Sequence, residues 1–368
     1  MNIKRRYLPI TAFCVISTIA LWVTGYSDIL NPTSWGYASL LGYAFPAALV
    51  CVLCCIVLCV FFRKRLLVIP FIGLLGAYSP VTLYFPISTE GEVPEDAIQV
   101  LSYNTYNWGR GYPHQNEEAP EEVMQYAVNT GADIVCFQEA YAIEPVKEKI
   151  QRIMYPAYKY HDTILYKHGA AVTLFSKFPI TRKERIAYET IGNVSGAFWL
   201  NIKGKEVIVI NNHLETMGFS VEDREAFSEM MHGNSKKEEM KSTSKTIFGK
   251  ILDATKKRSR QADAVATFIR RHQSSTMIVC GDFNDIPNSY THNAIIKAGH
   301  LEDGATFDLT DCYQKKGFGP GYSFSKFGMK VRIDNILCSP DITPHKCFVD
   351  NEVTLSDHYP IRCWMTLD

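Results

Sequence analysis

The chain divides by its hydrophobic pattern. From Leu8 to Tyr26, from Trp35 to Phe62 and from Leu66 to Ile87, no Asp, Glu, Lys or Arg interrupts the sequence. Each run matches the roughly 20 apolar residues that cross a bilayer's hydrocarbon core, which predicts three transmembrane helices within residues 1–87. A cleaved leader fits less well, because no small-x-small site follows the first run and two further runs come after it. Residues 88–96 read as a linker, and the pattern then changes across 97–368. Short apolar runs bounded by turn signals predict strands at "IQVLSYN", "ADIVCFQE", "AAVTLFS", "GAFWLNI", "KEVIVINNH", "TMIVCGDF", "VRIDNILC" and "HYPIRCWMTL". "APEEVMQYAVNTG" predicts a helix, with Pro120 near its start, two acids in its first turn and Gly131 past its end. A second helix is expected near Glu144 to Met154. Many strands with few intervening helices predict an α+β, two-sheet layered domain and not a repeated βα unit.

Ser220 to Gln273 departs from this pattern, being polar and free of proline. Val265, Phe268 and Ile269 have helical spacing, so its second half is expected to pack on the sheet as an amphipathic helix. Lys241, Lys245, Lys256, Lys257, Arg258 and Arg260 offer charge to a phosphate or an anionic lipid surface. Glu222, Asp223, Glu225, Glu229, Glu238, Glu239 and Asp253 share the stretch, and a solvated face of mixed charge is the favoured reading.

Charge adds orientation. Of 38 basic and 38 acidic residues, six basic and one acidic lie in 1–87, which leaves 32 and 37, a balance of −5. That balance argues against gripping long nucleic acid mainly by charge, though a local basic groove stays open. Lys4, Arg5 and Arg6 precede the first run and "RKR" at 63–65 follows the second, whereas 27–34 has no Lys or Arg. With three spans, the positive-inside rule puts the N-terminus in the cytoplasm and the soluble domain on the outer, periplasmic or extracellular side. None of the six cysteines beyond the spans forms a CxxC pair, so zinc has little support. Disulfides among Cys312, Cys338, Cys347 and Cys363 stay open.

Polar residues stand at the ends of the apolar strands: Asn104, Glu139, His213, Asp282 with Asn284, Asp334, and Asp357 with His358. One such residue is ordinarily a turn former. Eight in the same strand context predict a shared crevice at one sheet edge. His114, His161, His168, His232, His272, His292, His300 and His345 lack that context and are read as structural. No Cys or Ser occupies a nucleophile motif, which favours direct attack by water over a covalent intermediate.

In this order, "LSYNTYN", "DIVCFQEA", "TLFSKFPI", "VINNHLET", "IVCGDFND", "RIDNILCS" and "LSDHYPI" resemble the endonuclease/exonuclease/phosphatase superfamily, in its deoxyribonuclease-like and neutral sphingomyelinase-like branches. The resemblance covers essentially all of 97–367. It implies a four-layered α/β sandwich, two mixed sheets face to face with helices outside. It also implies Mg²⁺ (with Mn²⁺ as the other candidate) held by Glu139 near Asn104 and Asp357, since such ions take hard oxygen ligands. Asp282 would orient or deprotonate the attacking water, with Asn284 donating to water or phosphate. His358, oriented by Asp334, would contact the scissile phosphate, and His213 would stabilise the transition state. The expected protein is a membrane-anchored phosphoesterase. Its partners would be the bilayer and a phosphodiester from a lipid headgroup or nucleic acid, with no obligate protein partner evident. The alternative is a catalytically silent, membrane-attached binding or scaffold module, which would tolerate loss of the constellation. Ser220–Ser259 matches no substrate-selecting motif.

Overall fold

The computed structural model of the protein describes residues 8–110, 117–231, 237–299, 307–326 and 329–368. Lys4, Arg5, Arg6, His114, His232 and His300, and the side chains of Glu238, Glu239 and Lys241, lie outside the described residues.

The N-terminal part is helical where the sequence is apolar. Two stretches, Leu8–Ile29 and Pro32–Phe62, are long and apolar enough to cross a membrane. The third is broken: Lys64–Gly76 and Tyr78–Tyr84 meet at a 66° bend. Pro80 accounts for it, since a proline ring collides with the carbonyl four residues earlier, here that of Gly76. The count is therefore two spans, or three if the bent pair forms one. The helices touch through small residues, as packing between apolar helices requires: a Cβ on Gly73 would lie 2.9 Å from Thr18 Oγ1, and one on Gly76 2.8 Å from the Trp22 indole nitrogen. Ile16, Val57, Phe61 and Leu75 point outward and are more than half exposed.

Fourteen strands follow among the described residues. They are β1 (Ile98–Asn104), β2 (Ile134–Gln138), β3 (Tyr160–Leu165), β4 (Ala171–Ser176), β5 (Ile180–Ile186), β6 (Val194–Ile202) and β7 (Lys205–His213). Then come β8 (Thr276–Asp282), β9 (Thr310–Asp311), β10 (Phe324–Lys326), β11 (Met329–Val331), β12 (Asp334–Cys338), β13 (Ile342–Val349) and β14 (Ile361–Leu367). One sheet runs β13-β14-β1-β2-β4-β3, the other β5-β6-β7-β8-β12-β9, and β10-β11 is a separate hairpin. Both sheets are mixed: β1–β2 and β7–β8 are parallel, and the other pairs are antiparallel.

The two-residue period of the strands builds the layers. In β7, Val207 and Val209 enter the core between the sheets, while Ile208 and Ile210 face the long helix Lys237–Arg271. In β1, Ile98 and Val100 enter the inter-sheet core, and Leu101 and Tyr103 face the helices Ala119–Asn129 and Val146–Ala157. The result is helices, sheet, sheet, helix, the four-layered sandwich expected. Val265, Phe268 and Ile269 pack on the second sheet as their spacing predicts. The apolar pattern does not predict the two- and three-residue strands β9, β10 and β11, nor does it predict β3, β5 and β13. Their sequences, "YHDTIL", "ITRKERI" and "ITPHKCFV", stand partly in solvent at or beside sheet edges and so lack a continuous apolar run.

Candidate active site

The registers assemble the site. His213 ends β7 opposite Asp282 at the end of parallel β8, and Asp282 lies opposite Asp334 at the start of antiparallel β12. Asn104 ends β1 opposite Gln138 of β2, so Glu139 follows one residue beyond. Side chains from both sheets thus meet at one end of the sandwich. Gln138 Nε2 donates to Asn211 Oδ1 at 2.7 Å, and Asn211 Nδ2 donates to the Phe137 and Thr173 carbonyls at 3.1 and 3.2 Å, which ties the sheets together just below.

Asp282 is 1% exposed and central. Its Oδ2 accepts from Asn104 Nδ2 and Asn284 Nδ2, each at 3.0 Å, and its Oδ1 accepts from the Asn284 backbone N–H at 2.8 Å. Burial, reinforced by the Asp334 charge and opposed by His358 and His213, pushes the Asp282 carboxyl up to about 6. His358 Nδ1 bonds Asp334 Oδ2 at 2.8 Å, and His358 Nε2 lies 3.7 Å from Asp282 Oδ2. Burial alone would lower the His358 pKa, but Asp334 and Asp282 outweigh it and hold the imidazole well above its ordinary value. That favours an imidazolium with Nδ1–H donated to Asp334. His213 behaves oppositely: burial exceeds the pull of Asp282 and lowers its pKa. Its Nε2 lies 3.4 Å from Glu139 Oε1 and 4.0 Å from Asp282 Oδ2, and its buried Nδ1 has no hydrogen-bond partner among the described residues.

Of the eight strand-end residues, Glu139 at φ 52° and Asn284 at φ 53° are held in left-handed backbone. Asparagine tolerates this conformation, whereas a glutamate there is uncommon and marks a constrained position. Burial and the charge of nearby Asp357 raise the Glu139 pKa. A carboxyl raised by burial and by a neighbouring acid's charge belongs to a donor set that a divalent cation would neutralise, which fits hard-metal chemistry. Asn104 lies between them and the centre as a donor, with Nδ2 bonding Glu139 Oε1 at 3.1 Å, while its Oδ1 accepts from the Tyr106 N–H at 3.0 Å. Asp282, Asp334 and His358 form a second group able to hold a metal ion, their ligand atoms lying within 4.8 Å of one another.

Three further polar side chains and one aromatic ring contribute to the site. Asn193 Nδ2 lies 3.4 Å from His213 Nε2 and donates to the Leu214 carbonyl at 2.8 Å. Ser323 Oγ accepts from the Ile333 and Asp334 backbone N–H groups at 2.9 Å each. Ser356 Oγ donates to the Asn104 carbonyl at 2.8 Å, and the Phe324 ring meets His358 edge-on at 5.1 Å. Ser356 was visible as the first letter of "SDH"; Asn193 and Ser323 carry no local signal. Arg258, offered above as an anion-attracting side chain, is fully buried and committed to Asp285 Oδ2 at 3.1 Å and the Glu215 carbonyl at 2.7 Å. No anion can reach it. Cys312, Cys338, Cys347 and Cys363 are all free thiols and all buried.

A family model described as Endonuclease/Exonuclease/phosphatase family matches residues 101–358, from the middle of β1 through His358 and well over half of the chain. The chain belongs to this family. Its members hydrolyse phosphoester bonds and depend on a divalent metal. The endonuclease/exonuclease/phosphatase fold appears equally in solved structures. The human Nocturnin catalytic domain with bound sulfate anion has a TM-score of 0.50 at 14% identity, covering 75% of this chain and 97% of that one. D. rerio TDP2 complexed with single strand DNA product has a TM-score of 0.51 at 13% identity, covering 74% and 100%. Residues 6–84 match a separate model, described as Domain of unknown function (DUF8431). No curated protein matches the chain.

Proposed function

We propose that this family member is a membrane-anchored, Mg²⁺-dependent phosphodiesterase that uses water as nucleophile. The observation carrying the reading is the placement of Asp282, with its pKa near 6, within 4.0 Å of both His213 and the His358–Asp334 pair. A carboxylate so tuned accepts a proton from water near neutral pH. Asn284 and Asn104 fix its oxygens, so the accepting lone pair keeps one direction. His358 carries its proton and presents Nε2–H to a phosphoryl oxygen while Asp334 holds the ring. His213, kept neutral by burial, offers a second contact to the same phosphate without adding charge. Glu139 and Asp357, with Asn104 beside them, would hold Mg²⁺ (or Mn²⁺), which when bound supplies Lewis-acid stabilisation of developing negative charge. The Asp282–Asp334–His358 trio is better used as a proton network, because His358 Nδ1 is already spent on Asp334.

The substrate class proposed is a phosphodiester at a bilayer surface, from a lipid headgroup in preference to nucleic acid. The apolar N-terminal helices and the balance of −5 outside them support this. With three spans and "RKR" at 63–65 inside, the catalytic unit 97–368 would face outward. The contacts that link Asn104, Glu139, His213, Asp282, Asn284, Asp334 and His358, with the charge of Asp357 acting on Glu139, support an enzyme over a silent scaffold.

The test uses the full chain in mild detergent with bis-p-nitrophenyl phosphate, single-stranded DNA and phospholipid micelles, each with Mg²⁺ and with chelator. Chelator-sensitive turnover should fall by roughly 10³-fold or more in Asp282→Ala. Turnover that persists in the folded variant or in chelator would refute the assignment.

A further inference from the structure

A cavity of about 370 Å³ lies beside the catalytic crevice, lined by side chains the proposed chemistry does not use. Tyr359 and Tyr322 line it; they are the chain neighbours of His358 and Ser323, so the same two segments wall both spaces. Two ammonium groups, Lys316 and Lys330, face it, and neither has an ion-pair partner among the described residues. The one acid in its wall among the described residues, Glu90, is engaged by Lys346 at 2.8 Å. Asn351 and Ser325 add polar groups, and Phe348 gives an apolar side. Ammonium groups with hydroxyl and amide donors suit an anion rich in acceptor oxygens.

The cavity lies on the side of the sandwich that meets the N-terminal helices. The mouth of the cavity adjoins the point where the chain leaves its last apolar helix: the Gly319 N–H donates to the Pro86 carbonyl at 2.8 Å, and Ile87 pairs with Phe318 as an isolated bridge. Ile87 is 84% exposed and Phe318 75%. Two bare apolar side chains at the exit of such a helix belong at the level where headgroups meet acyl chains, and lysines at that level attract anionic lipid.

We propose that this cavity binds the phosphate headgroup of an anionic phospholipid from the adjacent leaflet. Lys316 and Lys330 contact the phosphate, while Ile87 and Phe318 rest against the acyl chains. The inference depends on the N-terminal helices lying in a membrane and not on catalysis, so the two readings fail separately.

Binding is measured on the full chain in neutral detergent by native mass spectrometry, with short-chain phosphatidylglycerol, short-chain phosphatidylcholine and inorganic phosphate as probes. Phosphatidylglycerol should bind in preference to both others. The double variant Lys316→Gln/Lys330→Gln should bind it at least about tenfold more weakly, while Lys316→Arg/Lys330→Arg retains binding. Asp282→Ala should bind like the wild type. Phe318→Ser, which leaves the charges in place, should weaken the lipid but not inorganic phosphate. Equal binding of phosphatidylcholine, phosphate binding as tight as the lipid's, or an unaffected double glutamine variant would each overturn the proposal.

Discussion

Asp282 and His358 are tuned in directions that make their protonation states complementary. A carboxyl raised to about 6 loses its proton as pH climbs through that value, and only then can it accept one from water. The imidazole, raised well above its ordinary value, keeps its proton to higher pH. The plot of log kcat/KM against pH should therefore rise through about 6, hold a plateau, and fall only where His358 deprotonates. Asp334→Asn should bring the falling limb to lower pH and reduce the plateau by roughly 10²-fold, since it removes the first charge holding the proton on His358. An unmoved falling limb would dissociate Asp334 from His358. Glu139 gives a test that needs no substrate. Its pKa is raised in the folded protein, so the folded state binds that proton more tightly than the unfolded chain, and ionisation near neutral pH is destabilising. That penalty is absent at pH well below the ordinary glutamate value of 4.5 and develops as pH rises past it. In chelator, Glu139→Gln should melt no lower than wild type near neutral pH, and any gain should vanish in acid. With Mg²⁺ only the wild type should gain melting temperature.

At the scale of elements, the site depends on two parallel strands approaching closely where the "GDF" run begins. Gly281 has φ +120°, and a Cβ there would fall 2.1 Å from the Asn212 carbonyl oxygen of β7. The glycine thus lets His213 and Asp282 sit side by side. Gly281→Ala meets backbone, which cannot rotate away, and should cost about 3 kcal/mol or more, read as a lower denaturation midpoint or loss of folded protein. Register carries equal weight: a slip of one residue between β8 and β12 would turn Asp334 to the opposite face. The central strands were legible because burial on both faces demands continuous apolar runs. Edge strands β3 and β5 were not, since solvent on one side permits "ITRKERI" to be a strand in context alone.

For the whole molecule, the N-terminal helices and the two-sheet sandwich share a buried polar joint close to the candidate site. Tyr43 Oη donates to Asp285 Oδ1 at 2.8 Å, three residues after Asp282, and Arg258 and Thr291 hold the other oxygen. A Cβ on Gly42 would lie 2.2 Å from the Asn288 carbonyl oxygen, and Arg332, two residues before Asp334, donates to the Leu83 carbonyl. The segments carrying both aspartates are therefore braced from the N-terminal side. Tyr43→Phe should cost about 1–2 kcal/mol by leaving a buried carboxylate short of a donor, seen as a lower melting temperature of the full chain in detergent. Wild-type stability in this variant would mean the joint is not formed.

What the sequence determined by itself are the features written in local pattern. These are the apolar runs within residues 1–87, the buried strands, the amphipathic half of the long helix, and the acids, amides and histidines at strand ends. Each follows from solvent exposure with a period of two or 3.6 residues, which neighbouring letters record. What only the tertiary structure decided are relations between distant segments. It placed Asn193 against His213, turned the Asn104 amide as a donor toward two carboxylates, and buried Arg258 on Asp285 where its charge had suggested an anion site. It also broke the third apolar run and brought Tyr43 within hydrogen-bond distance of Asp285, three residues after Asp282. Such contacts depend on strand register and on the packing of sheets and helices, and no stretch of sequence holds both partners.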